Sequence, residues 1–179
     1  MRATGKRHTE RADAWATFEL IVSSRHGDLR RFAHRLVGDP DRAEDALQDA
    51  YIKAYRALPR FSHVNGGSQT GWLFRIVYRT CLDDLRRGRR DRRSVGGDVE
   101  DRAADIGGPE SIAIARASLT AALAELPPES RATVLLVDGH GFDYEGAAAI
   151  LGVPRGTVAS RLSAARAALR KVLGDTDDA

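Results

Sequence analysis

Apolar residues recur three and four positions apart through most of this chain, and no stretch keeps the strict alternation of a strand, so the sequence is restricted to an all-α fold. From Trp15 to Val37 the set Phe18, Ile21, Val22, Leu29, Phe32, Ala33 and Leu36 fits one or two amphipathic helices, with a break expected at Gly27. Gly38-Asp39-Pro40-Asp41 is a stop-and-restart signal in which Asp39 caps the next helix and Pro40 fills its first turn. That helix, Asp41 to Leu58, carries Ala43, Leu47, Ala50, Ala54 and Leu58 on one face. After Pro59 comes a polar, glycine-rich loop to Gly71, long enough to expect function in it. A further helix from Trp72 to about Arg87 is expected to bury Phe74, Val77, Tyr78, Cys81, Leu82 and Leu85.

The second half is set off by charge. Arg86 to Arg93 is a basic run, and the segment after it, with Asp98, Glu100, Asp101 and Asp105 among paired glycines, reads as a flexible acidic linker. Helical spacing resumes near Glu110. A short helix from Ser130 to Val137, another from Phe142 to Leu151, the turn Gly152-Val153-Pro154 and a longer basic helix from Arg155 to Leu173 make a helix-turn-helix pattern. The last helix is expected to bury Val158, Leu162, Ala165, Leu169 and Val172 and to expose Arg155, Arg161, Arg166, Arg170 and Lys171, with no acidic residue among them. Such a face can set guanidinium groups against DNA phosphates and small side chains against base edges.

Enzymatic signals are missing. The histidines at 8, 26, 34, 63 and 140 have no metal-ligand spacing. Gly66 and Gly71 have P-loop spacing, but Trp72 stands where the phosphate-binding lysine belongs. The lone Cys81 excludes an intramolecular disulfide and reads as a small core residue. The reading therefore expects no catalytic residue, no metal and no cofactor. The N-terminal segment lacks the apolar core of a signal peptide, and no apolar run reaches the ~18 residues of a membrane span, so a soluble cytoplasmic protein is expected.

Motifs in both halves carry a resemblance. Leu126-Pro127-Pro128-Glu129-Ser130-Arg131, Gly141-Phe142-Asp143-Tyr144-Glu145-Gly146-Ala147-Ala148 and Gly152 to Leu162 are similar to sigma region 4 of the extracytoplasmic-function (ECF) group of the sigma-70 family. Leu36 to Asp39 with Ala43 to Tyr51 resembles region 2.2, and Trp72 to Val77 with Asp83 to Arg87 resembles regions 2.3 and 2.4. The resemblance implies two small helical domains: a region 2 bundle at 15–93 and a region 4 helix-turn-helix at 113–174, with a flexible linker at 94–112. Residues 1–14 and 175–179 are expected to be disordered.

It also implies a promoter-specificity subunit of RNA polymerase, without catalysis of its own, directing initiation of a stress-response regulon. Core polymerase would be gripped at its β′ clamp helices by Asp45, Gln48, Asp49 and Ile52, on the outward face with Asp41 and Arg56, and at its β flap by the second domain. The −10 element would meet Phe61, Asn65, Ser68, Gln69, Trp72, Arg75, Arg79, Thr80, Arg86 and Arg87, with the 61–70 loop holding a flipped base. Trp72 fits either that exposed face or a buried helix start, and Thr80 stands where many members carry Asn. The −35 element would meet Arg155, Thr157, Ala159, Ser160, Arg161, Ser163, Ala164 and Arg166. The small outward residues, Ala159, Ser160, Ser163, Ala164 and Ala167, point to reading by phosphate contacts and DNA shape. Promoter DNA and an anti-sigma factor complete the implied partners. The alternative reading is an autonomous helix-turn-helix regulator that binds duplex DNA without polymerase.

Overall fold

The computed structural model describes residues 3–58, 68–95 and 110–174; Phe61 and Asn65 lie outside them. Seven α-helices occur among the described residues, with no strand. The first three form an antiparallel bundle: α1 (Ala3–Val37), α2 (Pro40–Ala57) and α3 (Gln69–Val95). The helix-turn-helix half follows with α4 (Glu110–Ala124), α5 (Pro128–Val134), α6 (Tyr144–Leu151) and α7 (Arg155–Gly174).

α1 departs from expectation in two ways. It begins at Ala3 rather than near Trp15, so the segment expected to be disordered is helical from Ala3 on, and it runs through Gly27 without a break. A mid-helix glycine costs roughly 1 kcal/mol relative to alanine. Packing outweighs that here, because Phe18 and Ile21 before it and Leu29, Phe32, Ala33 and Leu36 after it all enter the core along one stripe. Asp39 then caps α2, its carboxylate accepting from the Arg42 N–H at 3.0 Å, with Pro40 in the first turn as the sequence indicated. α2 buries Ala43, Ala46, Leu47, Ala50 and Ala54. This run of small side chains lets its backbone settle between α1 and α3.

Polar ties at the bundle rim set the pairing. Glu44 of α2 accepts from Arg30 and lies 2.7 Å from the His34 ring, and the Tyr51 hydroxyl lies 2.9 Å from His26 Nδ1. The Arg30 hydrogen bond, despite opposing desolvation, leaves the Glu44 carboxyl below its ordinary range.

α3 starts at Gln69, three residues before the expected Trp72, because the Ser68 hydroxyl accepts from the Gly71 N–H at 2.9 Å and closes the first turn. Its far end also exceeds expectation: the helix continues through the arginine run to Val95. Leu73 joins the anticipated core residues Phe74, Val77, Tyr78, Cys81, Leu82 and Leu85.

The two halves share one continuous core. Phe74 sits at the seam, with its ring centroid 5.4 Å from Phe32 of α1, 5.1 Å from Phe142 and 5.0 Å from His140, all edge-on. Beside it the buried Arg131 of α5 donates through Nη1 to the Leu36 carbonyl of α1 at 3.0 Å. After α5 the chain widens into a π-helical turn, Leu135–Gly139, before reaching α6.

Candidate nucleic-acid interface

The turn between α6 and α7 needs a backbone that few residues tolerate. Asp143 caps α6 through the Gly146 N–H at 2.7 Å, and Gly152 ends it at φ 71°. The N–H groups of Gly152 and Val153 both return to the Ala148 carbonyl, at 2.8 and 3.2 Å. An L-residue at that φ carries strain, so glycine permits the tight exit that aims α7 outward.

On α7, Arg155, Ser160, Ser163, Ala164, Arg166 and Ala167 are exposed, while Thr157, Ala159 and Arg161 are half-buried. The buried stripe is shorter than expected. Val158, Leu162 and Ala165 are enclosed, but Leu169 is only half-buried and Val172 is 43% exposed, because α7 outruns the helices it packs on. Three arginines of this face are not simply open to solvent: Arg155 Nε lies 3.7 Å from the Glu145 carboxylate of α6. Arg166 makes a bidentate contact with Asp138 on the π-helical turn, at 3.0 and 2.5 Å. That hydrogen bond holds its guanidinium above its ordinary pKa, and any phosphate it meets must compete with an internal carboxylate. Arg161 has its Nη1 buried without a hydrogen-bond acceptor. It lies close enough to Tyr78 of α3 to favour the phenolate, although burial wins and pushes that phenol above its ordinary range.

The second face lies on α3. Ser68, Arg75, Arg79, Arg86 and Arg87 are exposed, and Gln69 and Thr70 are half-buried. Trp72 satisfies both readings in part, since it packs on the core while keeping some surface open. Thr80 requires a correction. Expected among the DNA-contacting residues, it is 1% exposed. Its hydroxyl donates to the Ile76 carbonyl at 3.0 Å and accepts from Lys53 Nζ of α2 at 3.2 Å. Its role is to join α2 and α3.

The third face is the outer side of α2. Asp41, Asp45, Gln48, Asp49 and Arg56 are exposed, and Ile52 is 50% exposed among them. The sequence reading missed Tyr55, exposed one turn beyond Ile52 and with its ring 5.7 Å from that of Phe18. Its position three residues after Ile52 on an amphipathic helix was the available signal. An exposed apolar pair with Asp45, Gln48 and Asp49 on its N-terminal side and the cations Lys53 and Arg56 beside it is a protein-docking surface in chemical character.

Away from these faces, burial pushes the Cys81 thiol up to about 12, so it stays protonated and inert. No group of three or more His, Cys, Asp or Glu side chains suited to a metal occurs among the described residues. None of the described helices is long and apolar enough to cross a membrane.

His140, at the seam, is depressed below its ordinary value near 6.5, chiefly by burial; the Asp28 carboxylate opposes this and Arg31 and Arg35 reinforce it. A base whose folded pKa is lowered binds more protons unfolded, so its effect on stability rises with pH. Unfolding free energy should therefore decline as pH falls below about 6.5, and His140→Gln should flatten that decline. Denaturant titrations across the range check this; equal slopes in both proteins would remove His140 as the cause. The Glu44 pair acts in a lower window, being lost only as pH drops below that carboxyl's ordinary value of 4.5.

A helical bundle with an arginine-lined face, joined to a helix-turn-helix, defines a DNA-binding protein of the transcription-factor class. Comparison with known proteins narrows this. Residues 21–91 match the family model for sigma-70 region 2, and residues 116–169 match that for sigma-70 region 4. The chain is 38% identical over 160 residues to the ECF RNA polymerase sigma factor SigM of Mycobacterium tuberculosis, covering 88% of this chain and 77% of the relative. It is 40% identical over 164 residues to SigE of Mycolicibacterium smegmatis, covering 89% of this chain and 63% of that one. Among solved structures, the sigma factor RpoE in complex with the anti-sigma factor NepR from Bartonella quintana superposes with a TM-score of 0.72 at 32% identity, covering 90% and 97% of the two chains. The chain belongs to the ECF group of sigma-70-type RNA polymerase sigma factors.

Proposed function

We propose that this sigma factor docks on core RNA polymerase through the outer face of α2, meets the −10 element along α3 and its preceding loop, and meets the −35 element with α7. Polymerase supplies the catalysis, and the factor acts in the cytoplasm. The carrying observation is the exposed Ile52–Tyr55 pair framed by Asp45, Gln48 and Asp49, on the helix beside the arginine face of α3. Protein docking and nucleic-acid binding are thereby assigned to adjacent helices of one bundle. For the −35 element, the small exposed residues Ser160, Ser163, Ala164 and Ala167 favour reading by phosphate contact and DNA shape over long side chains. The second domain would also engage the β flap.

Regulation follows from the same surfaces. The RpoE relative was solved with an anti-sigma factor, and a protein of that kind holding the two halves together would keep this factor from promoters until a stress signal. The segment between α3 and α4 would then serve as the tether that lets the two halves separate.

Run-off transcription from a genomic promoter library with purified core polymerase tests the reading. Core-dependent initiation at a shared motif is the expected result. Replacing Ile52 with arginine should weaken core binding at least about tenfold, equivalent to ~1.4 kcal/mol, while leaving the melting temperature unchanged because the side chain is half exposed. Specific protection of duplex sites by the protein alone, with no gain of selectivity by core, would instead make it an autonomous regulator.

A further inference from the structure

On α7 the Arg166–Asp138 pair stands at the rim of the outward face rather than in a core. Arg166 donates through Nε to one Asp138 oxygen at 3.0 Å and through Nη2 to the other at 2.5 Å, with Tyr144 of α6 a lesser partner. The two side chains are 45% and 37% exposed, and an ion pair so open to water contributes little to stability. Asp138 belongs to the π-helical turn, 28 positions before Arg166. The pair therefore brings an acid onto a helix whose own residues, Arg155 to Gly174, include none.

Around the helix axis Arg166 falls about 20° from Ala159 and roughly 60° from Ser163, beside the small residues that let DNA approach the helix backbone. Those residues offer bases no long side chain, so selectivity on this face depends on where phosphates can be held. A guanidinium carries five N–H donors in a planar fork. Asp138 takes the edge formed by Nε and Nη2, which leaves the edge that includes Nη1 to meet a phosphate. An arginine on a flexible stem accepts phosphates from many directions; this one is aimed, and any phosphate must share it with an internal carboxylate. Arg155 differs, lying 3.7 Å from Glu145 with both side chains largely exposed, a contact too loose to aim it.

We propose that Asp138 is a specificity-determining residue of the −35 interface: it withholds Arg166 from phosphates at random positions along DNA and presents one edge of the guanidinium to the phosphate of a correctly seated element. The inference rests on the promoter-binding reading above. Non-specific binding is almost wholly phosphate neutralisation, and an arginine already neutralised by a carboxylate attracts a random phosphate weakly. In the seated complex the phosphate lies on the open edge, the Asp138 bonds persist, and affinity for the promoter is largely kept. Asp138 thus raises the ratio of specific to non-specific binding rather than affinity itself, and that ratio governs how a DNA-binding protein finds its sites.

The test is holoenzyme binding, across a range of salt, to a promoter recovered by the run-off selection and to a duplex of equal length and composition with both elements scrambled. Asp138→Asn keeps the size of the side chain and removes its charge. On the scrambled duplex it should steepen the slope of log K against log salt by about 0.9, the value for one added phosphate contact. An about fourfold drop in salt then gains the variant roughly three times more affinity there than it gains the parent. The promoter should change less, so the preference for it should fall about threefold at the lower salt. Asp138→Glu keeps the carboxylate and should leave the slope near that of the parent, and Arg166→Ala added to Asp138→Asn should abolish the extra slope. An unchanged slope and preference in Asp138→Asn overturn the inference. So does an equal loss of affinity on both duplexes, which would make the pair a brace for α7. A parent holoenzyme with no preference for the promoter would defeat the promoter-binding reading itself, whereas a parental preference that survives Asp138→Asn defeats only the role of Asp138.

Discussion

Replacing Phe74 with alanine should lower the unfolding free energy by about 3–5 kcal/mol, the range for deleting a buried aromatic ring. The ring is 1% exposed and meets Phe32 of α1, His140 after the π-helical turn and Phe142 before α6. Its removal opens a cavity bordered by both halves of the molecule, which neither half can close without moving away from the other. Beyond the drop in stability, chemical denaturation should divide into two transitions if the halves unfold independently once the seam is weakened. Phe74→Leu keeps most of the volume and should cost less, with a single transition. A Phe74→Ala protein within about 1 kcal/mol of the parent would mean that the seam contributes little to stability.

Substitution of Arg131 by methionine should cost about 3 kcal/mol, as when one member of a buried charged network is removed. The guanidinium donates to three backbone carbonyls: Leu36 at 3.0 Å, Ala124 at 2.6 Å and Leu126 at 3.2 Å. Two of these belong to the last turns of α1 and α4, where carbonyls have no helical donor and carry the negative end of the helix dipole. Methionine preserves the apolar stem but leaves three acceptors without this donor, and the two buried ones, on Leu36 and Leu126, are each worth about 1–3 kcal/mol before relaxation. Arg131→Lys should recover only part of the stability, because an ammonium group lacks the planar fork that reaches carbonyls from separate elements. Urea titration of the three proteins checks the order arginine, lysine, methionine; equal stability of the methionine variant would sink the argument. Since the Leu36 bond crosses to the first half, the same series in isolated residues 110–174 should show a smaller arginine-to-methionine difference.

Several elements were legible because their causes are local. Asp39 and Pro40 start α2 and Gly152 ends α6, each through interactions within five residues, whereas the start of that helix, expected at Phe142, falls at Tyr144 behind the Asp143 cap. The exposed face of α2, with Asp45, Gln48, Asp49 and Ile52, followed from helical spacing alone. Periodicity also identified the buried side of α3; it was the family resemblance that placed Thr80 among the −10 contacts, where the fold buries it. That residue lies at the margin of the apolar stripe, and Lys53, 27 positions earlier, covers it. Likewise nothing near Arg166 in sequence reveals that Asp138, 28 positions away, already holds it.

The sequence by itself determined an all-helical chain, the Asp39–Pro40 start and the Gly152 turn, the family membership and the residue types on each outward face, because helix spacing and capping act over a few residues. Only the tertiary structure decided that α1 crosses Gly27 unbroken, that α3 carries the arginine run as a helix, and that Phe32, Phe74, His140 and Phe142 close the two halves into one core. Those outcomes depend on apolar surfaces far apart in sequence excluding water together. The free energy of that burial is a property of the assembled interface, and no local pattern carries it.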